Sequence, residues 1–301
     1  MRHFWPLLLL AAIFLYAVMQ SDQLATREDN PAAFAPQRII SLAPSITETL
    51  FAVGAASQVI AVTDYCSYPD AAKALPKVGG YLDPALERIL RLEPDLVILL
   101  RQQRLLKSQL AQLGIETLAI DTASLTGIKD SIRNIGVASG HDKQAQALLE
   151  EIDLRITAVS ERVAARPKPA TLLAIAHYTD SDQIHHVYLA GQQDFYNDLL
   201  TLAGGQNVYK GTRLKVPSIS TEGILRLNPQ VIIDLFPEAE MHQSDLQQVK
   251  QNWYQLDQLD AVKQQRVHLI EANYATLPGP RVIDLLEDIA LLLHPDTEEP
   301  R

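Results

Sequence analysis

Glu87 to Ile98 reads ERILRLEPDLVI, and Glu222 to Ile233 reads EGILRLNPQVII. Seven of the twelve positions are identical, at an offset of 135 residues. A repeat of this kind decides architecture before any local signal does. In each copy Ile and Leu recur at helical spacing, a Pro ends the helix, and a buried apolar strand follows. The flanks repeat more loosely. Before the first copy a strand over Arg38–Leu42 meets a turn at Pro44-Ser45 and a helix over Thr47–Val53, stopped by Gly54. Before the second, a strand over Val187–Ala190 precedes a helix over Phe195–Leu202, stopped by Gly204-Gly205. Further strands are expected at Val59–Val62, Glu116–Ile120, Thr171–Ala176 and Arg266–Ile270. Strand alternating with helix in both halves predicts an α/β fold of two lobes with mainly parallel sheets.

Between the halves, Ala145, Leu148, Leu149, Ile152, Ile156, Val159 and Val163 recur at spacings of three and four. This is one face of a long helix, from about Asp142 to Ala165, ended by Arg166-Pro167-Lys168-Pro169. Such a helix is roughly 36 Å long and permits only modest closing of the lobes. The domain reading is a signal peptide or membrane anchor over 1–20, a linker over 21–36 and an N-terminal lobe over 37–125. A connecting backbone helix over 126–168, a C-terminal lobe over 169–296 and a tail over 297–301 complete it.

The N-terminus carries Arg2 and His3 before an apolar run from Phe4 to Met19. That pattern reads as an export signal. Ala17-Val18-Met19-Gln20 offers no clean small-residue cleavage site, so the signal is either removed or kept as a tether to the inner membrane. The expected location is the periplasm. The one cysteine, Cys66, excludes an intrachain disulfide and does not follow the apolar run where lipidation needs it. With 26 basic and 36 acidic residues the net charge is −10, and no basic run favours nucleic acid as a partner. The motifs G-x-S-x-G, H-E-x-x-H and the phosphate loop are absent from the sequence, and the chain is read as a non-enzyme with no catalytic residues.

Several stretches taken together resemble a known family. They are RIISLAPSITETLFAVGA from Arg38, VTDYCSYP from Val62, LPKVGG from Leu75 and the first repeat copy, followed by AGGQNVY from Ala203 and PGPRVIDLLEDIA from Pro278. They are similar to the bacterial solute-binding proteins with a helical backbone (class III) that serve ABC importers of cobalamin, ferric siderophores, haem and metal ions. The resemblance covers nearly everything after residue 37, and VTDYCSYP with LPKVGGY is most similar to vitamin B12-binding members. It implies capture of cobalamin or a similar metal chelate between the lobes, with no permanently bound cofactor. Delivery to an inner-membrane ABC permease dimer follows, by a chain that is monomeric when free. It also implies that Glu87 and Glu222, one per lobe, dock on arginines of the permease; two similar acids suit two equivalent sockets. On the residues alone, each acid equally suits the first turn of its helix.

Ligands of two-lobed α/β proteins sit near the carboxyl ends of the strands. Pro44 and Ser45 lie there, at a helix N-terminus with free N–H groups. Tyr65, Tyr68, Tyr81, Tyr178 and Tyr274 are the aromatic candidates, since a corrin or haem offers a broad apolar face with a polar rim. By resemblance Tyr65 and Tyr81 match positions that hold aromatics against cobalamin. Leu100 departs from relatives with Trp at that place, and Trp253 is the one tryptophan after the export segment. The dense stretch His177 to His186 suits either a transition metal or a capped turn, and no dedicated metal site is assigned. Arg213 and Arg281 suit either an anionic group or a solvated face. Ferric siderophore, haem, free metal ions and a hydrolytic activity are the alternatives to cobalamin transport. No His occurs between Gln37 and His141, which weighs against free metal held across both lobes.

Overall fold

The computed structural model describes residues 35–180, 183–236 and 243–295. The expected signal segment 1–20, nearly all of the linker and the tail lie outside them. No helix among the described residues is long and apolar enough to cross a membrane.

The N-terminal lobe holds β1 (Ile39–Ser41), α1 (Pro44–Ala52), β2 (Val59–Val62), α2 (Asp70–Lys73), α3 (Leu86–Arg91), β3 (Leu96–Leu100), α4 (Arg104–Gln112) and β4 (Thr117–Ile120). Its sheet has the order β2-β1-β3-β4 and is parallel throughout. All five residues of β3, LVILL, are buried, as a strand covered on both faces requires.

The segment 126–168, expected as one connecting helix, is two. Helix α5 (Leu125–Ser139) ends on Gly140, whose φ of 77° admits the left-handed cap, and α6 (Asp142–Val163) then runs between the lobes. The two helices touch where Gly136 faces Ala145; a Cβ on Gly136 would lie 2.2 Å from the Ala145 Cβ. Helix α6 buries Ala145, Leu149, Ile152, Val159 and Val163, the face its periodicity predicts. Twenty-two residues make it about 33 Å long.

The C-terminal lobe holds β5 (Ala170–Asp180), β6 (Gln183–Leu189), α7 (Phe195–Leu202), β7 (Gln206–Asn207), β8 (Ser218–Ser220) and α8 (Thr221–Leu227). It continues with β9 (Val231–Phe236), α9 (Gln243–Tyr254), α10 (Asp260–Lys263), β10 (Val267–Glu271) and α11 (Val282–Leu293). Its sheet runs β10-β9-β5-β6-β8, with β7 on β5. Strands β10, β9 and β5 are parallel, but β5-β6 and β6-β8 are antiparallel. This sheet is therefore mixed. Residues His177–Asp180 and Gln183–His186, expected between two strands, instead extend β5 and β6, which pair out to Asp180 opposite Gln183. An antiparallel pair needs only a short connection and tolerates one solvated face, so polar residues do not end it.

The repeat holds in detail. Glu93 and Asn228 occupy equivalent places after α3 and α8, each left-handed, with φ of 44° and 40°. Asp95 and Gln230 are likewise equivalent: Asp95 Oδ2 accepts the Gln37 and Arg38 N–H groups at 2.8 and 2.9 Å, and Gln230 Oε1 accepts that of Ala170 at 3.0 Å. In each lobe a side chain before the central strand pins the start of its neighbour.

One apolar cluster joins both lobes. It runs from Ile39, Leu50 and Ile98 through Leu149 and Ile152 of α6 to Leu173, Leu199 and Leu286. Polar ties add to it. Asp198 Oδ2 of α7 accepts the Leu125 N–H that opens α5, at 2.9 Å. Arg155 of α6 donates to Asp284 at 2.6 Å and to Glu287 at 2.7 and 2.8 Å, both on α11.

Candidate ligand cleft

The carboxyl ends of β1, β3 and β4 face the segment that follows β10. Between them is a hollow of about 520 Å³. Ala43, Pro44 and Ser45 form its floor. Proline is at home in the first turn of α1, where its missing N–H costs nothing, and no side chain caps this helix. Its first-turn N–H groups therefore lack a side-chain acceptor at the floor of the hollow.

Tyr65 and Tyr81 line the same hollow. Tyr65, in the loop after β2, is 68% exposed, and Leu82 beside Tyr81 is 87% exposed. Apolar surface of this extent is unfavourable in water unless something covers it. Tyr81 is fixed from behind: Gln102 Nε2 donates to its hydroxyl at 3.2 Å and Gln103 Nε2 to its carbonyl at 2.8 Å. Leu100 lines the wall, and Thr276, Leu277 and Pro278 close it from the C-terminal lobe.

A second hollow of about 490 Å³ adjoins the first and shares Gln102, Thr122 and Pro278 with it. It is the charged end of the cleft. Arg101 pairs with Asp121 at 3.0 Å, and Arg104 lies on the same side. Across from them are Asp194 and Lys215. Burial raises the pKa of Asp194, against the lowering effects of its hydrogen bond from Tyr196 N and of Lys215. A flat ligand with an apolar body and polar or charged arms matches this division.

Of the expected ligand residues, the structure brings Pro44, Ser45, Tyr65 and Tyr81 together. Tyr68 and Tyr274 do not line the cleft. They flank Arg281, whose guanidinium carbon lies 3.7 Å from the Tyr68 ring centroid and 5.5 Å from that of Tyr274. Tyr274 is held there by donating to Asp288 at 2.6 Å. Burial, joined by the hydrogen bond to Asp288, raises the pKa of Tyr274. Arg281 forms a two-point ion pair with Glu48 of α1, at 2.5 and 3.0 Å, and so ties the lobes together. The side chain of Tyr178 lies outside the described residues, as do those of His177, Asp180, Ser181 and Asp182. His185, His186 and Arg213 are exposed. Trp253 is fully buried, donating to Asp234 at 2.7 Å, far from any role in the cleft wall. Cys66 is buried against Thr47 and Thr63. Among the described residues no three metal-ligating side chains come together.

Sequence reasoning missed Leu82, Gln102 and Thr122. Their signal was position: each lies within a few residues of a strand's carboxyl end or of a Tyr already singled out. Glu87 and Glu222 are exposed in the first turns of α3 and α8, and neither has an ion-pair partner among the described residues.

Residues 39–274 match the family model described as periplasmic binding protein. The chain is similar to the uncharacterized ABC transporter substrate-binding lipoprotein YvrC of Bacillus subtilis, at 27% identity over 278 residues, 91% of this chain and 85% of that one. It is similar to the vitamin B12-binding protein of Pectobacterium carotovorum, at 32% identity over 206 residues, 67% of this chain and 72% of that one. Among solved structures, the periplasmic vitamin B12-binding protein of Vibrio cholerae superposes with a TM-score of 0.71 and 26% identity, over 88% of this chain and all of the other.

Proposed function

We propose that this chain, which belongs to the periplasmic binding protein family, is the substrate-binding component of an ABC importer and carries cobalamin or a metal chelate of like shape. The supporting observation is the cleft. Exposed Tyr65 and Leu82 and the braced Tyr81 offer a broad apolar face beside a charged end. The two adjoining hollows together reach the upper range of small-molecule sites, which suits a bulky ligand. B12-binding relatives favour cobalamin over haem or a ferric siderophore.

The cycle we infer is capture and delivery. The ligand enters the cleft and is held against Tyr65, Tyr81 and Leu277, with Pro44 and Ser45 beneath it. The loaded protein then docks through Glu87 and Glu222 on an inner-membrane permease dimer, having reached the periplasm by the segment 1–20. It works as a monomer and performs no chemistry on its cargo. The test is a calorimetric and absorbance titration with cyanocobalamin, beside haem and a ferric hydroxamate. Saturable one-to-one binding of cobalamin supports the reading. Binding of only haem or the hydroxamate moves the ligand, and no binding of any of the three refutes it.

A further inference from the structure

The C-terminal lobe carries another hollow, on the end of its sheet opposite the cleft. The register fixes that placement. Strands β5, β9 and β10 are parallel, with Thr171 opposite Val231 and Val267 opposite Ile232. Residues just before these strands gather at one end and residues after them at the other, about 17 Å apart for five residues. Lys168 and Pro169 precede β5, Gln230 precedes β9 and Arg266 precedes β10. With Arg166, Gln264 and the end of α11 they enclose about 490 Å³.

Its charge is one-sided. Arg166, Lys168 and Arg266 line it, and among the described residues no carboxylate does, on a chain whose net charge is −10. Arg166 and Lys168 are exposed and have no ion-pair partner among the described residues. Arg266 is half-buried and donates to the Leu293 carbonyl at 2.9 Å. Burial lowers its pKa. The positive fields overlap. The pKa of His294 is lowered first by burial, and Arg166 and Arg266 both lower it further. Three cations gathered around one hollow repel each other, and a bound anion removes that repulsion. Two guanidinium groups and an ammonium are the donor set that tetrahedral oxyanions take.

We propose that this hollow is a binding site for a phosphate-class oxyanion, held by Arg166, Lys168 and Arg266 and separate from the cleft. The proposal does not depend on what the cleft carries. The shared chemistry has two sources, a free oxyanion or a phospholipid headgroup, and two assays separate them.

In the first, sodium pyrophosphate is titrated calorimetrically into the purified full-length chain at low salt. One-to-one binding is expected, weakened about tenfold or more in the double variant Arg166→Gln with Lys168→Gln. In the second, flotation with vesicles is compared with and without phosphatidylglycerol. A variant-sensitive response in either assay supports the site and names the source. Both substituted side chains are exposed, and an unchanged melting temperature without anion confirms an intact fold. Gln264→Glu is a second variant, which puts a carboxylate into the hollow without removing a cation and is expected to give the same loss. Binding equal in wild type and all variants, or none in either assay, overturns the proposal.

Discussion

Replacing Arg281 by Met isolates the tie between the lobes. Glu48 is 3% exposed and the Arg281 side chain 17%, and their two contacts are 2.5 and 3.0 Å. Removing one partner leaves the other buried without a counter-charge, which costs about 3–5 kcal/mol. At about 2–4 °C per kcal/mol for a domain of this size, the melting temperature should fall by about 10 °C at pH 8. The pH dependence carries the diagnosis. Burial already raises the pKa of Glu48 above 4.5, against the lowering influence of Arg281. Without Arg281 that influence is gone, and the folded state holds the Glu48 proton more tightly still. A carboxyl with a raised folded pKa favours the folded state as pH falls, fully so below its unfolded value, and that advantage is lost as pH rises through the folded pKa. The gap between wild type and variant should therefore be widest at alkaline pH. It should narrow by up to about 1.4 kcal/mol per unit as pH drops toward 4.5. Urea unfolding from pH 8 to pH 5 measures this. Changing Glu48 to Leu as well should recover most of the loss, since neither charge is then stranded. A loss under about 1 kcal/mol, or one that does not change with pH, would refute the assignment of Glu48 and Arg281 as a buried interlobe tie.

Three further outcomes are expected. Glu87→Ala with Glu222→Ala should leave ligand affinity unchanged and abolish uptake in cells; retained uptake would remove both acids from docking. Tyr65→Ala should weaken ligand binding about tenfold or more while moving the melting temperature little, because Tyr65 packs against solvent rather than the core. Glu93→Asn copies the second repeat into the first at a left-handed position, where Asn is better accommodated than Glu, and should raise stability by about 0.5–1 kcal/mol in denaturant unfolding.

The lobes were legible because their signal is local and duplicated. The repeat at Glu87 and Glu222 placed a helix and a buried strand in each half, and both copies fold as the pattern implies. The face of α6 was equally plain, and its start at Asp142 is where the pattern put it; the separate helix α5 before it was not. Gly140 separates two helices of similar composition, and the close approach of Gly136 to Ala145 lets them pack against each other. The hairpin of β5 and β6 was hidden because polar residues at a solvated sheet margin look like a loop. In the site, Pro44, Ser45, Tyr65 and Tyr81 were recoverable from their places after strands. Tyr68 and Tyr274 lie outside the cleft lining and flank Arg281, whose pairing with Glu48, 233 residues away, leaves no trace in sequence spacing. Residue type marked them as ligand-capable; only the fold shows that they serve each other.

That reassignment bears on how the cleft holds its cargo. A protein that closes far on its ligand must break contacts between its lobes in the open form, and here those contacts are many. The apolar cluster passes unbroken from Ile98 through Leu149 to Leu286, with the ties Glu48–Arg281, Arg155–Glu287 and Asp198–Leu125 around it. Pulling the lobes apart would expose buried side chains at about 25 cal/mol per Å² and strand at least one charge. The cleft is therefore close to its working shape before the ligand arrives. On the proposed function, affinity comes from surface already in place, where Tyr65 and Leu82 stand exposed and Tyr81 is braced by Gln102 and Gln103. A preformed face avoids much of the ordering cost that a hinged clamp incurs on binding. The same rigidity keeps Glu87 and Glu222 at a fixed separation, so a partner with two fixed sockets can recognise both at once.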